Sequence, residues 1–390
     1  MWVLQAFQKH MIGRLFLALI LAAICVALKA DQIISAVYTL SLFIREILLF
    51  CIPIIIASCI FNAVGNLPAH SYRIVFMLLI MVCGSNFFSS MVAYSVSQYL
   101  DLKGSMQLTK ITEQTIYPWF EWKSFRVLSN EAALIGSLIL ALLQSYFKFP
   151  FIERVSKTLN QATSFFLKRF LLPVLPVFIA GFAAKMMYEG SLLQMLFTNK
   201  EYILVIFLLI YGYITAWYII VARFHRATCV SYLKNVFPAL VTAFCTMSSF
   251  AAMPLTLLAA KKNTQNSITD MVVPSTVNIH LVGDSIFIPM MAIIILQIYG
   301  MPSPDLIQYL YFAFLFVLSK FAVAAIPGGG IIVMLPILEA QFGFNQDMAV
   351  LITALYILLD PIITTANVYA NNLFAILFAR IPFRSIKTPS

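Results

Sequence analysis

Residues 274–285 read PSTVNIHLVGDS, between MVV on one side and IFIPMMAIIIL on the other. Pro274, Asn278, His280, Gly283 and Asp284 interrupt a run that is otherwise apolar on both flanks. Proline withholds a backbone donor from a helix, and groups freed by such a break must find protein partners if the surroundings are hydrocarbon. The surroundings are therefore the first question. Of 390 residues, 62% are hydrophobic and 10% charged, against roughly 25% charged in a soluble domain. Runs long enough for a hydrocarbon core of about 30 Å recur, among them MIGRLFLALILAAICVAL (11–28), IVFMLLIMVCGSNFFSSMVAYSV (74–96) and YILVIFLLIYGYITAWYIIVA (202–222). The short alternating segments of a membrane β-barrel are absent. The fold class is an all-α polytopic membrane protein.

Apolar spans are expected near 11–28, 40–63, 73–99, 128–146, 160–188 and 202–222, the fifth led in by the amphipathic ERVSKTLNQATSFFLKR. The first runs to Lys29 without a small-residue cleavage site and reads as a retained span. Residues 100–127 are too polar to cross and form an external loop, whose Trp119 and Trp122 suit a membrane interface. With both termini in the cytoplasm, about 16 of the 25 Lys and Arg fall on the cytoplasmic side, as orientation requires of a multi-pass protein of a plasma or inner membrane. Arg45 and Lys320 then lie within the membrane. The net charge of +10 thus reports topology and not nucleic-acid binding. The six cysteines are scattered through apolar segments without a metal-ligand or disulfide pattern.

Two segments carry a small-residue break at their centre. Residues 236–262 pass through TMSSFAAMP (246–254), and residues 312–341 pass through AAIPGGG (324–330). Arms of about ten residues are too short to span, so each reads as a hairpin that enters and returns, with ordinary proline-kinked helices as the alternative. Paired interruptions of this kind point to the binding site of a secondary transporter. The last apolar stretch, 348–380, contains LLDPIITTANVYANN (358–372). Its Asp360, Thr364, Asn367 and Asn371 advance by four, three and four residues and share one helical face. An intramembrane Asp costs roughly 2.5–3.5 kcal/mol on insertion scales and usually faces a cavity or a partner. A purely structural polar stripe is the other reading.

In this order, TMSSFAAMP, the Pro274-to-Gly283 stretch, AIPGGG and LLDPIITTANVYANN resemble the hairpin tips and the seventh and eighth helices of the glutamate transporter family, the dicarboxylate/amino acid:cation symporters. The resemblance covers about 150 residues. It implies eight transmembrane helices plus two re-entrant helical hairpins in inverted repeats, a scaffold, a mobile transport domain and a homotrimer. The scaffold would comprise 1–72 and 128–190. The transport domain would comprise 73–99 and 200–385, with hairpin 1 at 236–262, helix 7 at 266–300, hairpin 2 at 304–342 and helix 8 at 346–380.

Carried over residue by residue, the resemblance places Ser248, Ser249, Asn367 and the backbone at Ile326, Gly328 and Gly329 around a substrate carboxylate, which suits hydroxyl, amide and helix-end donors. It places Asp360 on the substrate ammonium and Thr364 beside it. Where family members that take acidic substrates carry an Arg three residues after that Asp, this chain has Ile363. Arg is the residue suited to bidentate carboxylate recognition, so the resemblance implies a zwitterion with a neutral side chain. Pro361, next to Asp360, could kink the helix locally.

The cation positions depart further. By Pro–Gly spacing, His280, Leu281 and Val282 stand where the family has Asn-Met-Asp, and Asn371 replaces a final Asp. A two-residue slip would bring Asn278 into the pattern without restoring a carboxylate. Lys320 adds a positive charge in the first arm of the second hairpin, either snorkelling to an interface or standing in for an ion. His280 titrates near neutral pH in water, and helical spacing would place Asp284 on its face. Sodium coupling is therefore expected to be weakened, with protons or exchange as replacements and no resident cofactor. A sodium- or proton-coupled acidic amino acid or dicarboxylate symporter is one alternative, and an anion channel or non-transporting receptor is another. An enzyme is disfavoured because the tip serines have no base in their segment.

Overall fold

The computed structural model describes residues 20–65, 72–99, 149–166, 172–189, 200–323 and 329–381, with the segment 116–120, positions 14, 17, 18, 169 and 170, and eight positions between 132 and 144. Every regular element among the described residues is helical. In chain order these are α1 (Asp31–Gly65), α2 (Tyr72–Tyr99), α3 (Pro150–Phe166), α4 (Leu172–Tyr188), α5 (Lys200–Val221), α6 (Arg226–Thr246), α7 (Ser249–Thr264), α8 (Thr269–Thr276), α9 (Val282–Ile298), α10 (Leu306–Ser319), α11 (Gly329–Phe342) and α12 (Gln346–Ala379). A helical stretch at 20–27 precedes α1.

Four helices among the described residues are long and apolar enough to cross a membrane: Phe76–Tyr99, α5, α6 and α12. The eight expected spans are thus matched in part. The span near 128–146 and Trp122 lie largely or wholly outside the described residues, and 116–120 is the described part of the polar loop. That part docks on α1, where Ser35 donates to the Tyr117 carbonyl and Thr39 accepts from the Trp119 amide at 2.9 Å. The expected helix over 160–188 is described as α3 and α4, with residues 167, 168 and 171 between them outside the described residues.

The helices sort into two packing groups. α1 packs on α4 and α3, with Ser41 Oγ bonded to the Val177 carbonyl at 3.1 Å. The second group is built round α9 and α12. In α9, residues 282–296 and 298 are all buried, and a helix apolar on every side belongs in the middle of a bundle. α2, α5, α11 and α12 surround it. α12 is as central: 72% of its most apolar stretch is buried within the chain, against 17% for α6. Outward-facing Phe76, Ile80, Leu204, Leu208, Phe237 and Phe244 are exposed, and lipid would solvate them as well as a protein core does. Between helices in lipid the hydrophobic drive is absent, so packing and polar contacts fix the arrangement.

The two interrupted segments become helix pairs. α6 and α7 pack together across a tight turn, in which Met247 adopts a left-handed φ of 49° and Ser248 caps α7 by accepting from the Ala251 amide at 3.2 Å. The first arm starts at Arg226, ten residues before the expected boundary, and its 21 residues suffice to cross. The second pair is α10 and α11, with a 3-10 turn at Lys320–Ala322 that packs on α1. Residues 324–328 lie outside the described residues.

Candidate functional site

The stretch 274–285 is a broken helix. α8 ends at Thr276, residues 277–281 form turns, and α9 starts at Val282. The groups freed there are held by one side chain from α2. Asn86 donates through Nδ2 to the Ile279 carbonyl at 2.7 Å and accepts at Oδ1 from the Leu281 amide at 3.1 Å and from Ser285 Oγ at 3.4 Å. His280 Nε2 meets Ser85 Oγ at 2.9 Å, and its ring lies 4.5 Å from that of Phe374. Helix breaks in hydrocarbon persist when neighbouring side chains satisfy them in this way. The break also separates His280 from Asp284. The expected shared face does not form, because His280 and Leu281 precede the start of α9 and the two side chains bond to different elements.

Asp284 lies in the first turn of α9 and is 1% exposed. Its Oδ1 accepts from Tyr356 Oη and from Asn367 Nδ2, each at 3.0 Å, while Asn367 Oδ1 accepts from the Asp284 amide at 3.3 Å. Its Oδ2 faces Lys320 Nζ at 3.7 Å. The ammonium is fully buried, lies 4.2 Å from the Phe316 ring centroid, and has no hydrogen-bond partner among the described residues. Lys320 thus points inward to a carboxylate and does not snorkel. Glycines make this approach feasible. A Cβ on Gly283 would stand 2.7 Å from the Ile363 carbonyl, and one on Gly330 2.7 Å from Asp284 Oδ2. Gly330 lies in the first turn of α11, so the carboxylate sits near the amide ends of two helices, where negative charge is favoured.

α12 runs unbroken through Pro361. Its Asp360, Thr364, Asn367 and Asn371 are all buried, with Thr364 Oγ1 donating to Asp360 Oδ1 at 2.7 Å and Thr276 Oγ1 donating to Asn371 Oδ1 at 2.6 Å. The register against α7 follows from three contacts. Asn266 donates to the Ala379 carbonyl, Asn263 to Asn372 Oδ1, and Asn372 to the Thr256 carbonyl. The helices run parallel there. Carried back along both helices at equal rise, the three contacts set Ser248 level with positions between Ile357 and Thr364. The capped turn of α6–α7 thus lies near the level of Asp360.

A family model described as "Sodium:dicarboxylate symporter family" matches residues 131–381. The chain belongs to that family. A Caenorhabditis elegans protein named "Excitatory amino acid transporter" is 30% identical over 142 residues, covering 36% of this chain and 28% of the relative. A "Proton/sodium-glutamate symport protein" of Geobacillus stearothermophilus is 28% identical over 149 residues, 38% of this chain and 35% of the relative. A second C. elegans protein with an excitatory amino acid transporter name is 27% identical over 158 residues, 40% of this chain and 31% of the relative. The matched stretches thus span about a third of the length of these curated relatives. The family is one of multi-pass membrane transporters and not of enzymes.

Against the family resemblance, the structure brings Asp360, Ile363, Thr364 and Asn367 of α12 to the mouth of the break, and adds Asp284 and Lys320 to the same cluster through Asn367. Ser248 is buried and Ser249 half-buried at the α7 start, Asn278 is half-buried within the break, and Gly329 begins α11. Ile326 and Gly328 fall outside the described residues. Asn371 bonds Thr276 at another point of the break, with its Nδ2 unpartnered among the described residues. Among these residues no group of three or more His, Cys, Asp or Glu could hold a metal ion.

Residues not anticipated are Asn86, Ser85 and Tyr356. The first two had a signal, the GSN–SS run that interrupts the apolar span 74–96. Tyr356 had one as well, since it extends the 360–364–367–371 stripe one turn toward the N-terminus.

Proposed function

We propose that this family member is a secondary transporter of a small zwitterionic amino acid with a neutral side chain, working as a trimer by an elevator motion of the group built round α9 and α12 against the group of α1, α3 and α4. The observation that carries the reading is the buried Asp360–Thr364–Asn367 face of α12, a helix packed against both α6 and α7. Asp360 supplies a carboxylate for a substrate ammonium, and the α7 amino end with the Ser248 region supplies donors for a substrate carboxylate. At position 363 a buried isoleucine offers a side-chain carboxylate nothing. Sodium coupling is reduced in this reading. Two oxygens that face the break, Ile279 O and Asn371 Oδ1, already accept from Asn86 and Thr276, and the nearest buried carboxylate, Asp284, faces an ammonium instead of a hard cation.

The relatives' names favour a second reading, an acidic amino acid as substrate. Purified protein in liposomes separates the two. Saturable counterflow of a labelled neutral amino acid, abolished by Asp360→Ala and indifferent to a sodium gradient, is the expected result. Counterflow of glutamate or aspartate alone supports the second reading. Accumulation that requires sodium and ignores a pH gradient overturns the coupling assignment, and conduction without saturable exchange overturns transport itself.

A further inference from the structure

Around Asp284 the chain assembles what a carboxylate ligand needs. Tyr356 Oη and Asn367 Nδ2 donate from α12, Lys320 Nζ approaches from the end of α10, and the first turns of α9 and α11 point their amide ends at the same spot. The carboxylate that fills this arrangement belongs to the chain. Both polar atoms of the Asn367 amide are engaged by Asp284, one by its side chain and one by its backbone amide. Lys320 is neutralised at 3.7 Å, beyond hydrogen-bond reach, and keeps its donors unmet among the described residues.

We propose that Asp284 is the specificity-determining residue of the site. Its carboxylate occupies from within the place where an acidic ligand's side-chain carboxylate would bind, so the site admits neutral side chains and rejects acidic ones. The inference rests on the substrate reading above. The rejection has a charge argument. Among the described residues Asp284 is a buried acid of this cluster and Lys320 a buried ammonium facing it. A further carboxylate would enter beside the Asp284 carboxylate, a group of like sign that already engages Tyr356, Asn367 and Lys320. Removing the Asp284 carboxylate leaves Lys320, Tyr356 and Asn367 as an unfilled set of donors.

The test uses the purified full chain in detergent, read by thermal melting and by isothermal titration with L-serine and L-aspartate. Asp284→Ser shortens the side chain and frees the donors. It is expected to bind L-aspartate at least about tenfold tighter than the wild type, the equivalent of about 1.4 kcal/mol. Asp284→Ser with Lys320→Met removes both charges of the pair and is expected to lose that gain. Where Asp284→Ser does not fold, Asp284→Thr, which likewise removes the carboxylate and keeps a hydroxyl, replaces it with the same expectation. Aspartate binding no tighter than wild type, or an equal gain in the double variant, overturns the proposal. L-Serine binding by the wild type tests the substrate reading separately. If the wild type ignores serine while Asp284→Ser gains lysine-dependent aspartate binding, the specificity assignment stands and the neutral-substrate reading falls. If no variant binds either amino acid, both fall.

Discussion

Replacing Asn86 by alanine should destabilise the chain more than any other single polar substitution in α2. The side chain is 1% exposed and joins α2 to both sides of the break in one amide. Its loss strands the Ile279 carbonyl and the Leu281 amide, at 2.7 and 3.1 Å respectively, and loosens Ser285. A buried polar group left unsatisfied costs about 1–3 kcal/mol. Two such groups give about 2–6 kcal/mol, with Ser285 spared because its hydroxyl also donates to the Leu281 carbonyl at 2.7 Å. For 390 residues the entropy of unfolding is on the order of 0.8 kcal/mol per kelvin, so the apparent melting midpoint in detergent should fall by about 3–7 °C. Ser95→Ala is the control, since that exposed hydroxyl only returns to the Met91 carbonyl of its own helix, and a change within about 0.5 kcal/mol is expected there. Melting curves of Asn86→Ala and Ser95→Ala that superimpose on the wild type would refute the assignment of Asn86 as the partner of the break.

Gly283→Ala would press a methyl against the Ile363 carbonyl and the Asn367 amide; overpacking of this kind costs about 1–3 kcal/mol, seen as a lower melting midpoint and weaker substrate binding together. Lys185 of α4 bonds Asp347 at the start of α12 at 2.6 Å, and in an elevator motion that contact must break; Lys185→Met should change the rate of counterflow while leaving substrate affinity unchanged, and equal rates would argue against movement at this contact. Lys261–Asp270, at 2.6 Å, is half-exposed on both sides, so Asp270→Asn should move stability by less than about 1 kcal/mol in the same melting assay.

The helical class, the break at 274–285 and the polar face of α12 were legible because each leaves a mark on composition or period. Asp360, Thr364, Asn367 and Asn371 share a face by simple spacing, and the helix keeps that spacing through Pro361. The same rule misled at His280 and Asp284, because it presumes a continuous helix across residues 277–281. The start of α6 was placed too late, since HRATCVSYLK looks polar by composition yet forms its first turns. Partners brought together from distant segments were the hardest part. Nothing local to Lys320 announces Asp284, thirty-six residues earlier in the chain. Nor does a lone Asn in an apolar span name the backbone it will hold.

The two breaks in this fold solve one physical problem by different means, and the difference bears on function. The α8–α9 break is satisfied by a neutral amide, Asn86, which has no charge to exchange and no reason to move. The Asp284–Lys320 contact is held by opposite charges at 3.7 Å, and breaking such a buried pair by removing one partner typically costs 3–5 kcal/mol. Asp360 is a second buried acid, held on its own helix by the Thr364 hydroxyl at 2.7 Å. In the proposed function a substrate ammonium meets that acid and the substrate carboxylate meets the α7 end, so a zwitterion places one charge against each of two different elements.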